Sequence, residues 1–219
     1  MLTEVLFAAV LGTAAVMVCS FFESIWGSRS TIRTLPGSLT APLSAYDKAM
    51  AERSRELIRE CFCTDGKSVL DSIRQMESAE RLQAARNFSG RLAQLNGLEL
   101  RISFFADNDI RNCGGYEAGA NVASFNIVEL MWDGNDAQFE DRILNFLDTI
   151  VHEQRHAVQM RAIREKGFWQ IEDARRALWA TNLPPDHYIS PAVDARAYRT
   201  QPIESDAFTY AALVLEGVT

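Results

Sequence analysis

Cysteine and histidine are both scarce in this chain, with 4 Cys and 3 His in 219 residues. Four cysteines are too few to build a scaffold from disulfides. Cys61 and Cys63 form a C-x-C without the second pair that a structural zinc site needs. Either can pair with Cys113 in an oxidising compartment, and free thiols are the alternative. Positive charge is in deficit as well. A formal net charge of −7 repels a phosphate backbone, which argues against a nucleic-acid partner. No stretch combines low hydrophobicity with high charge, so an extended disordered tail is not expected.

One long uncharged run is present, at residues 5–22 (VLFAAVLGTAAVMVCSFF), near the lower length limit for a helix that crosses a bilayer. Glu4 precedes it without Lys or Arg, so it lacks the basic start of a cleavable signal. Two readings stay open for residues 1–27: a membrane or translocation segment, or a helix buried in protein. Residues 28–43, rich in Ser, Thr, Gly and Pro, read as a linker, and residues 44–219 as one domain.

Within that domain Ser44 and Asp47 predict a capped helix running toward Cys61, and a second helix is expected over about 67–95, stopped by Asn96-Gly97. Leu98, Leu100, Ile102 and Phe104 alternate with polar residues, the period of a half-buried strand. Residues 107–115 read as a polar loop and 116–121 as a turn before a second strand at about 122–131. The Asp107, Asn108 and Asp109 cluster lacks the register of a calcium loop, so it reads as a solvated turn. A long helix then extends to about Lys166, with Gly167 to end it, and a further helix is expected around 172–179. Ser190-Pro191 reads as the cap of a short helix, and Pro202 can open the last one.

The long helix carries His152-Glu153-Gln154-Arg155-His156. Histidines four apart stand one helical turn from each other and can reach the same metal ion. Glu153 points to a neighbouring face, where it can deprotonate a water on that metal without ligating it. With only 3 His in the chain, this pattern arises by chance in roughly one such chain in 500. The competing reading is a solvated polar face shared with Asn145, Asp148 and Gln159. The apolar stripe Ile143, Phe146, Leu147, Ile150, Ala157 and Val158 lies on the opposite side. A third ligand must come from elsewhere, and Glu204, in the first turn that Pro202 opens, offers a carboxylate. The alternative for Glu204 is an acidic residue favoured there by the helix dipole.

The stretch from His152 to Gln159, followed by Tyr198 and by Gln201-Pro202-Ile203-Glu204-Ser205-Asp206-Ala207, resembles the zincin metallopeptidase domains of bacterial polymorphic toxins and secretion-system effectors. More distantly it is similar to the regulator-cleaving peptidases typified by ImmA and IrrE. The resemblance covers about residues 98–214 and implies Zn2+ held by His152, His156 and Glu204, with Glu153 as general base. It also implies that Asp206 orients a ligand histidine. The implied fold is a mostly helical α+β minimal zincin, with a small antiparallel sheet packed on the active-site helix and an edge strand near 122–130 that accepts an extended peptide. Tyr188, Tyr198, His187 and Arg196 are candidate donors to the developing oxyanion. A protein or peptide substrate, an immunity or inhibitor protein, and membrane contact through the N-terminal segment are the partners this reading implies. A cytosolic regulatory peptidase and a non-catalytic zinc-binding module are the other function classes.

Overall fold

The computed structural model describes residues 42–63, 66–109, 112–134, 138–183 and 187–218, and Ser44 opens the first helix among them. The apolar run at 5–22 and the linker up to residue 41 lie outside the described residues. Helix α1 (Ala45–Phe62) starts with the expected reciprocal cap: Ser44 N donates to Asp47 Oδ2 at 2.8 Å, and Asp47 N donates to Ser44 Oγ at 3.0 Å. The single helix expected over 67–95 is instead two, α2 (Val69–Gln75) and α3 (Ser78–Leu95). Arg81 explains the break. Its Nε reaches the carbonyls of Ile73 at 2.9 Å and Met76 at 3.1 Å, adding a donor at the end of α2, where the helix's own N–H groups run out. Asn96 and Gly97, with φ +68, end α3 as the sequence indicates.

Three short strands follow: β1 (Arg101–Phe105), β2 (Gly114–Glu117) and β3 (Val122–Asn126), ordered β1-β3-β2. The sheet is mixed, which corrects the antiparallel expectation. β2 and β3 form an antiparallel hairpin, and β3 then inserts beside β1 in parallel. The strand at 122–126 is therefore central, and β1 and β2 are the edges. β2 lies in a stretch that reads as loop because two glycines carry no strand preference. Gly114 is there for clearance: with φ +155, a Cβ would stand 2.4 Å from Ser124 O and 3.2 Å from Thr149 Cγ2. Glycine at this position lets the hairpin lie close against the next helix.

That helix, α4 (Phe139–Arg164), is the centre of the molecule. Every residue from 146 to 160 is buried, so the solvated-face reading of its histidine side is overturned. β2 and β3 cover one side of α4, and α5 (Asp173–Ala180) and α7 (Pro202–Leu215) cover others. Between them, α6 (Ala195–Thr200) is capped by Asp194, whose Oδ1 accepts from Arg196 N and Ala197 N at 2.9 Å each. Ser190-Pro191 begins a turn, not the helix. Pro202 stands in the first turn of α7 as expected, where its missing N–H costs nothing. The core runs through Phe88, Ile143, Leu147, Ile150, Tyr210, Ala211 and Val214, joining α3, α4 and α7. Among the described residues, seven α-helices with one small sheet make this a mostly helical α+β fold. No helix among the described residues is long and apolar enough to cross a membrane.

Candidate metal centre

The helical period brings His152 and His156 together, and the packing of α7 on α4 delivers Glu204 to them. His152 Nε2 and His156 Nε2 are 3.0 Å apart. Glu204 Oε2 lies 3.3 Å from the first and Glu204 Oε1 lies 3.4 Å from the second. A metal bound tetrahedrally at about 2.0–2.1 Å from each ligand would require separations of about 3.3 Å, so the three groups already stand at coordination spacing. His152, His156 and Glu204 are 4%, 8% and 1% exposed, which means little solvent competes for their lone pairs. The group can hold a metal ion.

Gln159 sets the tautomer. Its Nε2 donates to Ile203 O at 2.8 Å and to Asp206 Oδ2 at 2.9 Å, so its Oε1 must be the acceptor, 2.8 Å from His156 Nδ1. His156 therefore keeps a proton on Nδ1, and Nε2 is the nitrogen that faces Glu204 and His152 and can ligate a metal. The His152 ring is fixed by packing, its centroid 4.4 Å from that of Phe208. Tyr188 donates its hydroxyl to Glu204 Oε1 at 3.0 Å. Burial opposes charge on His156, but the Glu204 carboxylate outweighs it, and with help from Glu153 and Gln159 pushes His156 up to about 9. Burial likewise opposes charge on Glu204, yet the two histidines hold it well below the usual carboxylate range. The centre is thus electrostatically suited to a cation.

The other predicted residues divide. Glu153 is 2% exposed, outside the ligand group but close enough for its charge to act on His156 and on Cys113. Asp206 does not orient a histidine directly. It accepts from Arg155 Nε at 2.8 Å, from Arg175 and from Gln159, and only through Gln159 does it reach His156. The reason is chain position: two residues beyond Glu204 on α7, it faces the interior arginines. Tyr198 is buried against Phe208, with ring centroids 6.0 Å apart. His187 is exposed, its Nδ1 3.2 Å from Thr181 O, and Arg196 is exposed on α6. Cys61, Cys63 and Cys113 form no disulfide among the described residues, and burial pushes Cys113 up to about 12 together with the nearby carboxylates. Asp107 closes its own turn, accepting from Asp109 N at 3.0 Å and Asn112 Nδ2 at 2.9 Å.

Beneath the centre lies an ion cluster that the sequence does not announce. Arg155 Nη2 is 2.9 Å from Asp47 Oδ1, and Arg175 Nη1 is 2.6 Å from Asp47 Oδ2. Both arginines also bond Asp206, so two acids and two bases tie α1, α4, α5 and α7 together. Trp169 and Tyr210 flank the Arg155 guanidinium with ring centroids at 4.9 Å and 4.6 Å. A positive residue inside the His-Glu-x-x-His motif, on a helix otherwise rich in apolar residues, is the one signal that was there to read. No family model, curated protein or solved structure matches the chain.

Proposed function

We propose that this chain is a zinc-dependent metallopeptidase. The observation that carries it is the convergence of His152 Nε2, His156 Nε2 and the Glu204 carboxylate at coordination spacing, on a helix that also presents Glu153. Two imidazoles and one carboxylate form the three-ligand set of a catalytic zinc with a remaining position for reactants. Zinc held there would polarise a carbonyl oxygen and acidify water. Glu153 takes the proton from the attacking water and passes it to the leaving amine. Tyr188, at 3.0 Å from Glu204, is the best-placed of the candidate donors to the developing oxyanion. The edge strand beside α4 is β2, and an extended protein or peptide substrate would add to that edge.

Elemental analysis of protein purified without chelator should give near-stoichiometric zinc, and Glu204→Ala should lose most of it. Glu153→Gln should keep the fold and the metal while losing peptide hydrolysis. Undiminished hydrolysis by Glu153→Gln would remove that residue from the mechanism, and full zinc in Glu204→Ala would remove the third ligand.

The biological role that goes with this chemistry is a delivered effector that harms the cell it enters and is held in check by an immunity protein. Its support is the resemblance at residues 151–159 and 201–207. Expression in a bacterial host, with and without an export signal, should arrest growth in at least one compartment, and Glu153→Gln should not. Normal growth in both compartments would favour a regulatory peptidase. Zinc without any hydrolysis would favour a binding module.

A further inference from the structure

The metal ligands account for one face of α4, and the arginines packed near that helix are mostly committed to partners. Arg155 and Arg175 are held by Asp47 and Asp206, Arg142 lies 3.4 Å from Glu129, and Arg161 lies 2.9 Å from Glu165. Arg199 differs. It is half-buried on α6, and it forms no hydrogen bond or ion pair with any described residue. Its guanidinium carbon lies 4.9 Å from the centre of the Phe208 ring, which in turn lies 4.4 Å from the ring of His152. The acid whose charge reaches it is Asp148, one helical turn before His152 on α4. Both relations put Arg199 beside the metal centre, at the end of α4's histidine face.

From this geometry we propose that Arg199 receives a carboxylate of the peptide substrate, close to the bond that is cut. The inference rests on the peptidase reading above and gives it a substrate class: peptides with a carboxylate, terminal or side-chain, next to the scissile bond. The two legs of 4.9 Å and 4.4 Å bound the separation of Arg199 from His152. An extended chain advances about 3.3 Å per residue, so a group on Arg199 lies within about three residues of one on the metal. A guanidinium offers a planar fork of donors that matches a carboxylate in two parallel hydrogen bonds. Phe208 covers the fork from one side, and the half-burial of Arg199 strengthens any ion pair formed there. Burial also presses Arg199 below its ordinary range, with the charge of Asp148 working in the opposite sense. A substrate carboxylate would relieve that strain.

The test measures binding and cleavage separately, on the full-length chain. Calorimetry with zinc-loaded Glu153→Gln protein would compare acetyl-Ala-Phe-Ala bearing a free C-terminus with its C-terminal amide. A second pair would compare Glu with Gln at the last position of the amidated peptide. One or both carboxylate forms should bind about 10- to 100-fold more tightly than the neutral partner, and the pair that shows it identifies the source. Adding Arg199→Gln should make the two affinities equal. Arg199→Lys should keep part of the preference, and Arg196→Gln, which removes the same charge from the exposed side of α6, should keep all of it. Equal affinity for both members of both pairs, or a preference that survives Arg199→Gln, overturns the inference. Cleavage of peptides by the wild-type chain without carboxylate preference sinks this proposal and leaves the peptidase standing. Arg199-dependent binding without cleavage keeps a carboxylate site at Arg199 and removes the peptidase reading that sets it beside a scissile bond.

Discussion

Gln159 decides which nitrogen of His156 is available, because its amide nitrogen is already spent on Ile203 O and Asp206. Removing it should leave the fold intact while letting the ring rotate and the tautomer exchange. Gln159→Ala is expected to weaken metal binding about 10- to 100-fold, read by competition with a chromophoric chelator. An unchanged affinity would place control of the ring elsewhere. Tyr188→Phe should retain its metal, because the hydroxyl bonds a ligand oxygen without being a ligand itself. Its kcat should fall about 100-fold with a smaller change in KM, as expected of a donor that acts mainly as charge develops. These residues differ in how far the sequence exposes them. His152 and His156 are legible because one helical turn is a local fact. Glu204 is legible only as a carboxylate near a helix start, and its partnership depends on how α7 packs. Gln159 carries no readable signal, since its role depends on partners 44 and 47 residues away.

At the level of elements, local chemistry announces boundaries and tertiary contacts override them. The cap at Ser44, the stop at Gly97 and the proline at 202 are where the sequence puts them, each decided within a turn or so of chain. The break between α2 and α3 is not legible, because it depends on Arg81 also reaching Trp132 O, at 3.0 Å across 51 residues. β2 is hidden for a related reason: Gly114 is chosen for close approach to Ser124 and Thr149, and glycine reads as a loop. The burial of α4 on every side likewise depends on a polar cluster assembled from four helices. Breaking that cluster from one side should be costly. Asp47→Ala leaves two buried guanidinium groups sharing the single carboxylate of Asp206, with an expected loss of about 3–5 kcal/mol. At roughly 2–4 °C per kcal/mol for a domain of this size, the thermal midpoint should drop by about 10 °C. Circular dichroism melting would show it, and a shift of only a degree or two would mean that water replaces the carboxylate.

Across the whole molecule the same cluster sets the response to acid. Burial alone would raise Asp47, but the charges of Arg155 and Arg175 and the hydrogen bonds from Arg175 and Ser44 prevail and hold it at about 2, against 3.8 for an ordinary aspartate. Asp206 is depressed in the same direction, burial again being outweighed by Arg155 and Arg175. A carboxylate whose folded value is lowered stabilises the protein fully above its unfolded value, and that stabilisation is lost as pH falls through the folded one. The contribution of these two acids should therefore be constant above about pH 5 and decline steeply between about pH 4 and pH 2. The four helices that they join should come apart together. Urea midpoints measured on metal-stripped protein at intervals from pH 6 to pH 2 would follow it, since removing the metal takes proton competition at the histidines out of the measurement. Asp47→Asn should start less stable and show a shallower decline over the same window, because one titrating group has been removed. If Asp47→Asn instead loses stability with the same slope as the wild-type chain, the buried ion cluster is not what makes this fold sensitive to acid.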